Sequence, residues 1–142
     1  MEISDVRRRV RAAIEAARTR AEARRASRDE ASRAWEGVRS DLAVPAFHQV
    51  ASALVGEGHR FKVVTPGEAV RLTPDRGGEE FVELALVTER EEPALVLTST
   101  RGRGRRVITT EHVFRDGPAI ASVSEEEIVA ALLEALTPFL EP

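Results

Sequence analysis

Residues 80–88 read EFVELALVT, and this stretch predicts the centre of a β-sheet. Val82, Leu84 and Leu86 fall on one face of a strand, and apolar side chains also occupy most of the other face. Two-sided apolarity is typical of a strand in the middle of a sheet. Glu83 is the exception, and we expect a solvated, edge-facing carboxylate there rather than a buried acid with a shifted pKa.

Four further runs with strand alternation lie on both sides of this stretch, separated by turn signals rich in Gly, Pro and Asp. They cover residues 59–65, 69–73, 94–100 and 105–113. Every connection between them is short, which favours an antiparallel meander over parallel βαβ units. The sequence therefore predicts a five-stranded antiparallel sheet.

Helices are predicted before and after the strands. Residues 47–54 place apolar side chains at helical spacing, and Ser40 or Asp41 can cap the start of this short helix. Ser124 and Glu127 form a capping box that opens the last helix, and Pro138 is expected to stop it.

A long helix leads the chain, because residues 4–36 contain neither Gly nor Pro and are dominated by Ala, Arg and Glu. Gly37 and the Ser40-Asp41 pair predict its end. At about 1.5 Å per residue it is roughly 50 Å long and overhangs a small globule. The fold class is therefore α+β in the order α-α-β-β-β-β-β-α, with an extended basic amphipathic helix over 1–40 and a globular domain over 41–142.

The leading helix has an apolar stripe with a 3-4 spacing at its start. It consists of Ile3, Val6, Val10, Ala13, Ile14 and Ala17. Arg20 and Arg24 interrupt it, and bulk returns only near Trp35. We expect the Trp35 end to pack on its own domain and the stripe to pack on a second copy or another protein. The alternative is an overhanging or folded-back helix without a partner.

Composition excludes several classes of protein. The chain of 142 residues is 42% apolar and 32% charged with a net charge of −3, so it is not a disordered chain. It has no cysteine, which excludes a disulfide scaffold and thiolate metal sites. No apolar run is long enough to span a bilayer and the start lacks an apolar leader, so we expect a cytoplasmic protein that does not engage a membrane.

Arg101, Arg103, Arg105 and Arg106 lie within the six residues RGRGRR at a predicted hairpin tip. Gly lets a backbone approach a phosphate, and Arg pairs with phosphate oxygens in a bidentate manner. The favoured interpretation is a solvated hairpin whose arginines protect a sheet edge from aggregation, and a phosphate-binding tip for nucleic acid is the alternative. Residues 1–40 carry a net charge of +4 and the remainder −7, so the acidic part of the chain opposes such binding.

No catalytic or metal-binding constellation is predicted. His48, His59 and His112 are far apart and have no ligand spacing that preassembles a metal site. The sequence therefore predicts no catalytic residue, no metal and no cofactor.

The leading hypothesis is a non-enzymatic interaction module that forms a homodimer through its first helix or binds another protein. The rival is a nucleic-acid-binding protein that uses residues 101–106 and the Arg-rich helix. A third, weaker possibility is a small-molecule binder or enzyme with a pocket between the sheet and the helices.

Overall fold

The computed structural model describes residues 2–142, and it confirms the predicted α+β order. The helices are α1 (Ile3–Val38), α2 (Val44–Gly56) and α3 (Glu125–Leu140). The strands are β1 (Phe61–Val64), β2 (Val70–Pro74), β3 (Phe81–Val87), β4 (Ala94–Arg103) and β5 (Arg106–Asp116). Within residues 2–142 these five strands form one antiparallel sheet in the order β1-β2-β3-β4-β5. The stretch EFVELALVT, residues 80–88, therefore contains the middle strand, β3.

The predicted break between α1 and α2 is wrong. A π-helical segment, Arg39–Ala43, joins the two helices without a loop, and the Val44 N–H donates to the Arg39 carbonyl five residues earlier. The Ser40 hydroxyl does not cap α2 but donates back to the Glu36 carbonyl at 3.1 Å. The wider turn carries the chain in a helical conformation up to Pro45, whose missing N–H is tolerated in the first turn of α2.

The hydrophobic core lies between one face of the sheet and the helices. Val82 and Leu84 of β3 lie on this inner face and are buried together with apolar residues of all three helices. Trp35 of α1 is 1% exposed, and its Nε1 donates to the Glu68 carbonyl at 2.9 Å. The prediction that the Trp35 end of α1 packs on its own domain is confirmed.

A short 3-10 helix, Gly117–Ser122, follows β5 and packs against the C-terminal half of α1. Ile120 is fully buried in this contact. Gly117 has a φ of 51°, a left-handed conformation that glycine adopts without the penalty a side chain brings. This 3-10 helix anchors the C-terminal half of α1 on the domain.

The start of α3 is as predicted and its end is not. The Ser124 hydroxyl accepts from the Glu127 N–H at 3.1 Å, while the Glu127 carboxylate accepts from the Ser124 N–H at 3.2 Å. The capping box is confirmed. Pro138, however, lies inside α3, which continues to Leu140. Phe139 packs edge-on against Phe61 with ring centroids 6.4 Å apart, and this contact stabilises the last turn beyond the proline.

Candidate interaction surfaces

The first eighteen residues of α1, residues 3–20, project from the domain, and we call them the arm. Residues 6–20 are all exposed, including the large side chains of Val6, Val10 and Ile14, which retain 44%, 50% and 48% of their accessible surface. Ile3 is 77% exposed. At about 1.5 Å per residue the arm is roughly 27 Å long. The predicted overhang is confirmed, and the six residues of the predicted apolar stripe lie in water.

The arm is basic on the sides that flank the apolar stripe. A shallow groove of about 430 Å³ is lined by Ile3, Val6 and Val10 together with Arg7 and Arg11. The Arg8 guanidinium pairs with the Asp5 carboxylate at 3.1 Å, and this exposed pair adds little stability. The long arginine stems can cover apolar surface while their guanidinium groups stay in water. The arm therefore presents an apolar centre with charged edges.

The apolar stripe lies on the same side of α1 as the rest of the domain. Eighteen residues make five full helical turns, so Ala13 points in the same direction as Ala31, and Ala17 in the same direction as Trp35. Ala31 and Trp35 are buried in the core, whereas Ala13 and Ala17 are exposed. The stripe is thus a continuation of the face that packs on the domain.

A notch marks the point where the arm leaves the domain. It has a volume of about 430 Å³ and lies between α1 and the loop that joins β3 to β4. Its walls include Ala23 and Ser27 of α1 and Pro93 of the loop. Ala23 is exposed, whereas Ser27 is half-buried by the domain. The space that a partner helix could occupy beside α1 therefore ends between these two residues.

The RGRGRR segment forms the tip of the β4–β5 hairpin, as predicted. Gly104 and Arg105 make a two-residue turn between the paired residues Arg103 and Arg106, and Gly104 has a φ of 65°. Arg103, Arg105 and Arg106 are exposed. The structure therefore brings three of the four arginines into solvent at one tip.

Arg101 differs from the other three arginines. Its guanidinium donates to the Pro138 carbonyl at the end of α3, at 2.8 Å. An acid also lies beside the tip, because the Glu80 carboxylate accepts from the Gly102 N–H at 2.9 Å and pairs with Arg76 at 2.7 Å. The hydrogen bond from Arg76 lowers the pKa of Glu80 below its ordinary value, aided by the Gly102 N–H. The basic tip is thus smaller and closer to negative charge than the sequence indicates.

The expectation for Glu83 is wrong. It lies on the middle strand, on the sheet face away from the helices, and its carboxylate accepts from Arg71 Nε at 3.0 Å. Arg71 also stacks over the Phe81 ring at 3.9 Å. The side chain of Glu83 is largely buried by these neighbours. Sequence reasoning missed this cluster because only the β2–β3 register places Arg71 opposite Glu83.

The Arg71 cluster forms one wall of an open cleft of about 550 Å³ on the outer face of the sheet. Lys62, Thr73 and Thr100 also line it. In this cleft the Arg71 guanidinium is already paired with Glu83, and the Thr73 hydroxyl donates to the Glu80 carbonyl.

The three histidines lie apart on the surface. His48 is exposed on α2, His59 precedes β1, and His112 is exposed on β5. Among residues 2–142 no group of three or more His, Asp or Glu side chains has the geometry to hold a metal ion. In the same part of the chain, no helix combines the length and the hydropathy that crossing a membrane requires.

These features define a small α+β protein with a five-stranded meander and a projecting helical arm. No protein-family model, no curated protein and no solved structure matches the chain.

Proposed function

We propose that the chain is a non-catalytic interaction module that self-associates through its arm. The observation that carries this proposal is the apolar stripe, which remains exposed on a helix anchored in the core at its other end. A rigid helix with four large exposed apolar side chains loses little conformational entropy when a partner covers them. Helices with a 3-4 apolar spacing pack against one another through such stripes.

A second copy is the simplest occupant of the stripe. The stripe is short and partly made of Ala, so the buried apolar area is small and we expect association in the micromolar range. We propose that the module works in the cytoplasm.

Light scattering coupled to size-exclusion chromatography tests the proposal. The full chain is expected to run as a dimer at concentrations of tens of micromolar. Val10→Asp places a charge in the centre of the stripe and should shift the protein to a monomer. Ala12→Asp is the matched control, because Ala12 is exposed on the opposite side of the arm and this variant should remain dimeric.

Two results would contradict the proposal. One is a full chain that is monomeric at these concentrations. The other is loss of the dimer in Ala12→Asp and Val10→Asp alike, because that would trace association to helix stability rather than to the stripe.

A second candidate function is phosphate-backbone binding at the hairpin tip, favoured by the exposure of Arg103, Arg105 and Arg106. If these three bind phosphates of duplex DNA, log K falls against log salt with a slope of about −2.7, from about 0.9 per phosphate. Changing all three to Ser should flatten the slope. Changing Arg60, Lys62 and Arg90 to Ser is the control for general loss of positive charge, because these exposed residues lie in neither the tip nor the arm. The absence of any shift of labelled DNA or RNA at low salt would exclude this candidate.

A further inference from the structure

The direction in which two arms can pair follows from the side of α1 that the domain occupies. Ala31 and Trp35 are buried under the domain, and Ala13 and Ala17 lie five turns earlier on the same side. A partner helix that covers the stripe must therefore lie on the domain's own side of α1. This inference rests on the self-association proposed above.

A parallel pair of arms brings the two domains into collision. In that arrangement the stripes face each other at the same height, and so do the surfaces around Ala31 and Trp35 in both copies. Each copy already fills that space with its own sheet and 3-10 helix. Helices pack with their axes 8–10 Å apart, which leaves no room for two domains between them.

We propose that two copies pair through antiparallel arms, with the two-fold axis between Arg11 and Ala12. In this arrangement Val6 packs beside Ala17 of the second copy, and Val10 packs beside its Ala13. Each domain then lies beyond the end of the other copy's arm. The two domains flank the helix pair on opposite ends and do not compete for the same space.

The register is limited on one side by the domain. Sliding the arms one heptad further together would place Ile3 of the second copy beside Ser27, which is half-buried where α1 meets the domain. In the proposed register Ile3 of the second copy lies beside Arg20, the last residue of the arm. The notch beside Ala23 and Pro93 leaves space for the end of the incoming helix.

The register is limited on the other side by charge. Sliding the arms one heptad apart would place Val6 beside Val10 of the second copy. In an antiparallel pair, the residues that flank the apolar contact on one side face each other. This register would therefore also place Arg7 beside Arg7 of the second copy and Arg9 beside its Arg9. Like charges at such flanking positions are unfavourable. In the proposed register the flanking pairs are different: Arg7 lies beside Ile14 of the second copy, and Arg9 lies beside its Ala16. The arginine stems then cover apolar surface instead of repelling each other.

Disulfide trapping tests the arrangement, because the chain has no cysteine of its own. The variants are Val6→Cys and Ala17→Cys in the full chain, each at an exposed position. They are equilibrated alone or mixed in a glutathione redox buffer. In the proposed dimer, Val6 of one copy lies eleven residues, or about 16 Å, from Val6 of the other. A disulfide requires Cα atoms closer than about 7 Å.

The expected result is a disulfide-linked species in the mixture of the two variants, and none from either variant alone. Self-linked dimers of each single variant would show a parallel pair and overturn the inference while leaving self-association intact. Efficient linkage of Val6→Cys with Val10→Cys, in place of Val6→Cys with Ala17→Cys, would overturn the register. A monomer in light scattering together with no linkage in any mixture would instead refute the proposed function itself.

Discussion

The attachment of the arm to the domain depends on Trp35, and replacing this residue tests the whole arrangement. The Trp35 side chain is 1% exposed, and its indole N–H donates to the Glu68 carbonyl at 2.9 Å. Trp35→Ala removes both the packing and the hydrogen bond. Core replacements of this kind destabilise a protein by about 3–5 kcal/mol, which is a large share of the roughly 5–15 kcal/mol that a domain has in total.

A milder variant separates the two contributions. Trp35→Phe keeps much of the apolar volume but loses the hydrogen bond, whose net value is about 0.5–1.5 kcal/mol. Because Glu68 is exposed, water can reach its carbonyl once the indole is gone, so the cost of an unpaired acceptor stays low. We expect Trp35→Phe to lose about 1–2 kcal/mol in total, once the smaller ring volume is included.

Urea denaturation followed by far-ultraviolet circular dichroism measures both variants. Val10→Ala in the arm is the control, and it should change the free energy of unfolding of the monomer by less than about 0.5 kcal/mol. If Trp35→Ala loses less than about 1 kcal/mol, against the expected cost of core truncation, then α1 is not anchored as described. Trp35→Phe keeps the test informative if the alanine variant does not fold.

Three further predictions concern polar contacts of the domain. Ser124→Ala removes the capping hydroxyl of α3 and should cost about 1 kcal/mol in urea denaturation. Glu80 and Glu127 both have a lowered pKa in the folded state, Glu80 mainly through Arg76 and Glu127 mainly through the Ser124 hydroxyl. The stability that these two acids add is complete above their unfolded pKa of about 4.5 and is lost as pH falls through the lower folded pKa values. The free energy of unfolding of Glu80→Gln should therefore fall less steeply with decreasing pH than that of the unchanged protein. Glu83→Ala leaves the half-buried Arg71 guanidinium without its partner and should lower the free energy of unfolding by about 1–3 kcal/mol. Glu83→Gln should lower it less, because the amide oxygen still accepts the hydrogen bond from Arg71. Equal losses in both variants would contradict this role of the ion pair.

The features that sequence alone determined are those set by local periodicity and turn chemistry. The 3-4 spacing from Ile3 to Ala17 identified the exposed stripe, because the position of each side chain around a helix depends only on its residue number. Two-sided apolarity placed residues 80–88 in the middle of the sheet, although the helices cover only the face of Val82 and Leu84 and the opposite face carries the open cleft. The capping box at Ser124 was also evident, because its two hydrogen bonds join residues three positions apart.

The features that only the tertiary structure decided depend on contacts between distant parts of the chain. Gly37 and Pro138 indicate helix ends by propensity, but the helical path continues past Gly37, one residue before the end of α1, and Pro138 lies inside α3. The π-helical segment carries the chain past the first, and packing of Phe139 on Phe61 outweighs the second. Propensity differences near 1 kcal/mol for glycine are small compared with the burial of large apolar side chains.

The candidate surfaces also have some features that the sequence predicts and others that only the tertiary structure shows. Sequence identified the arm and the basic tip, but it did not show that Arg101 is held by the Pro138 carbonyl or that Glu83 pairs with Arg71. It also did not show which side of α1 the domain occupies, and this decides how a second arm can approach. Each of these facts depends on strand register or helix docking, which bring together residues 12 or more positions apart, and local spacing carries no information about such contacts.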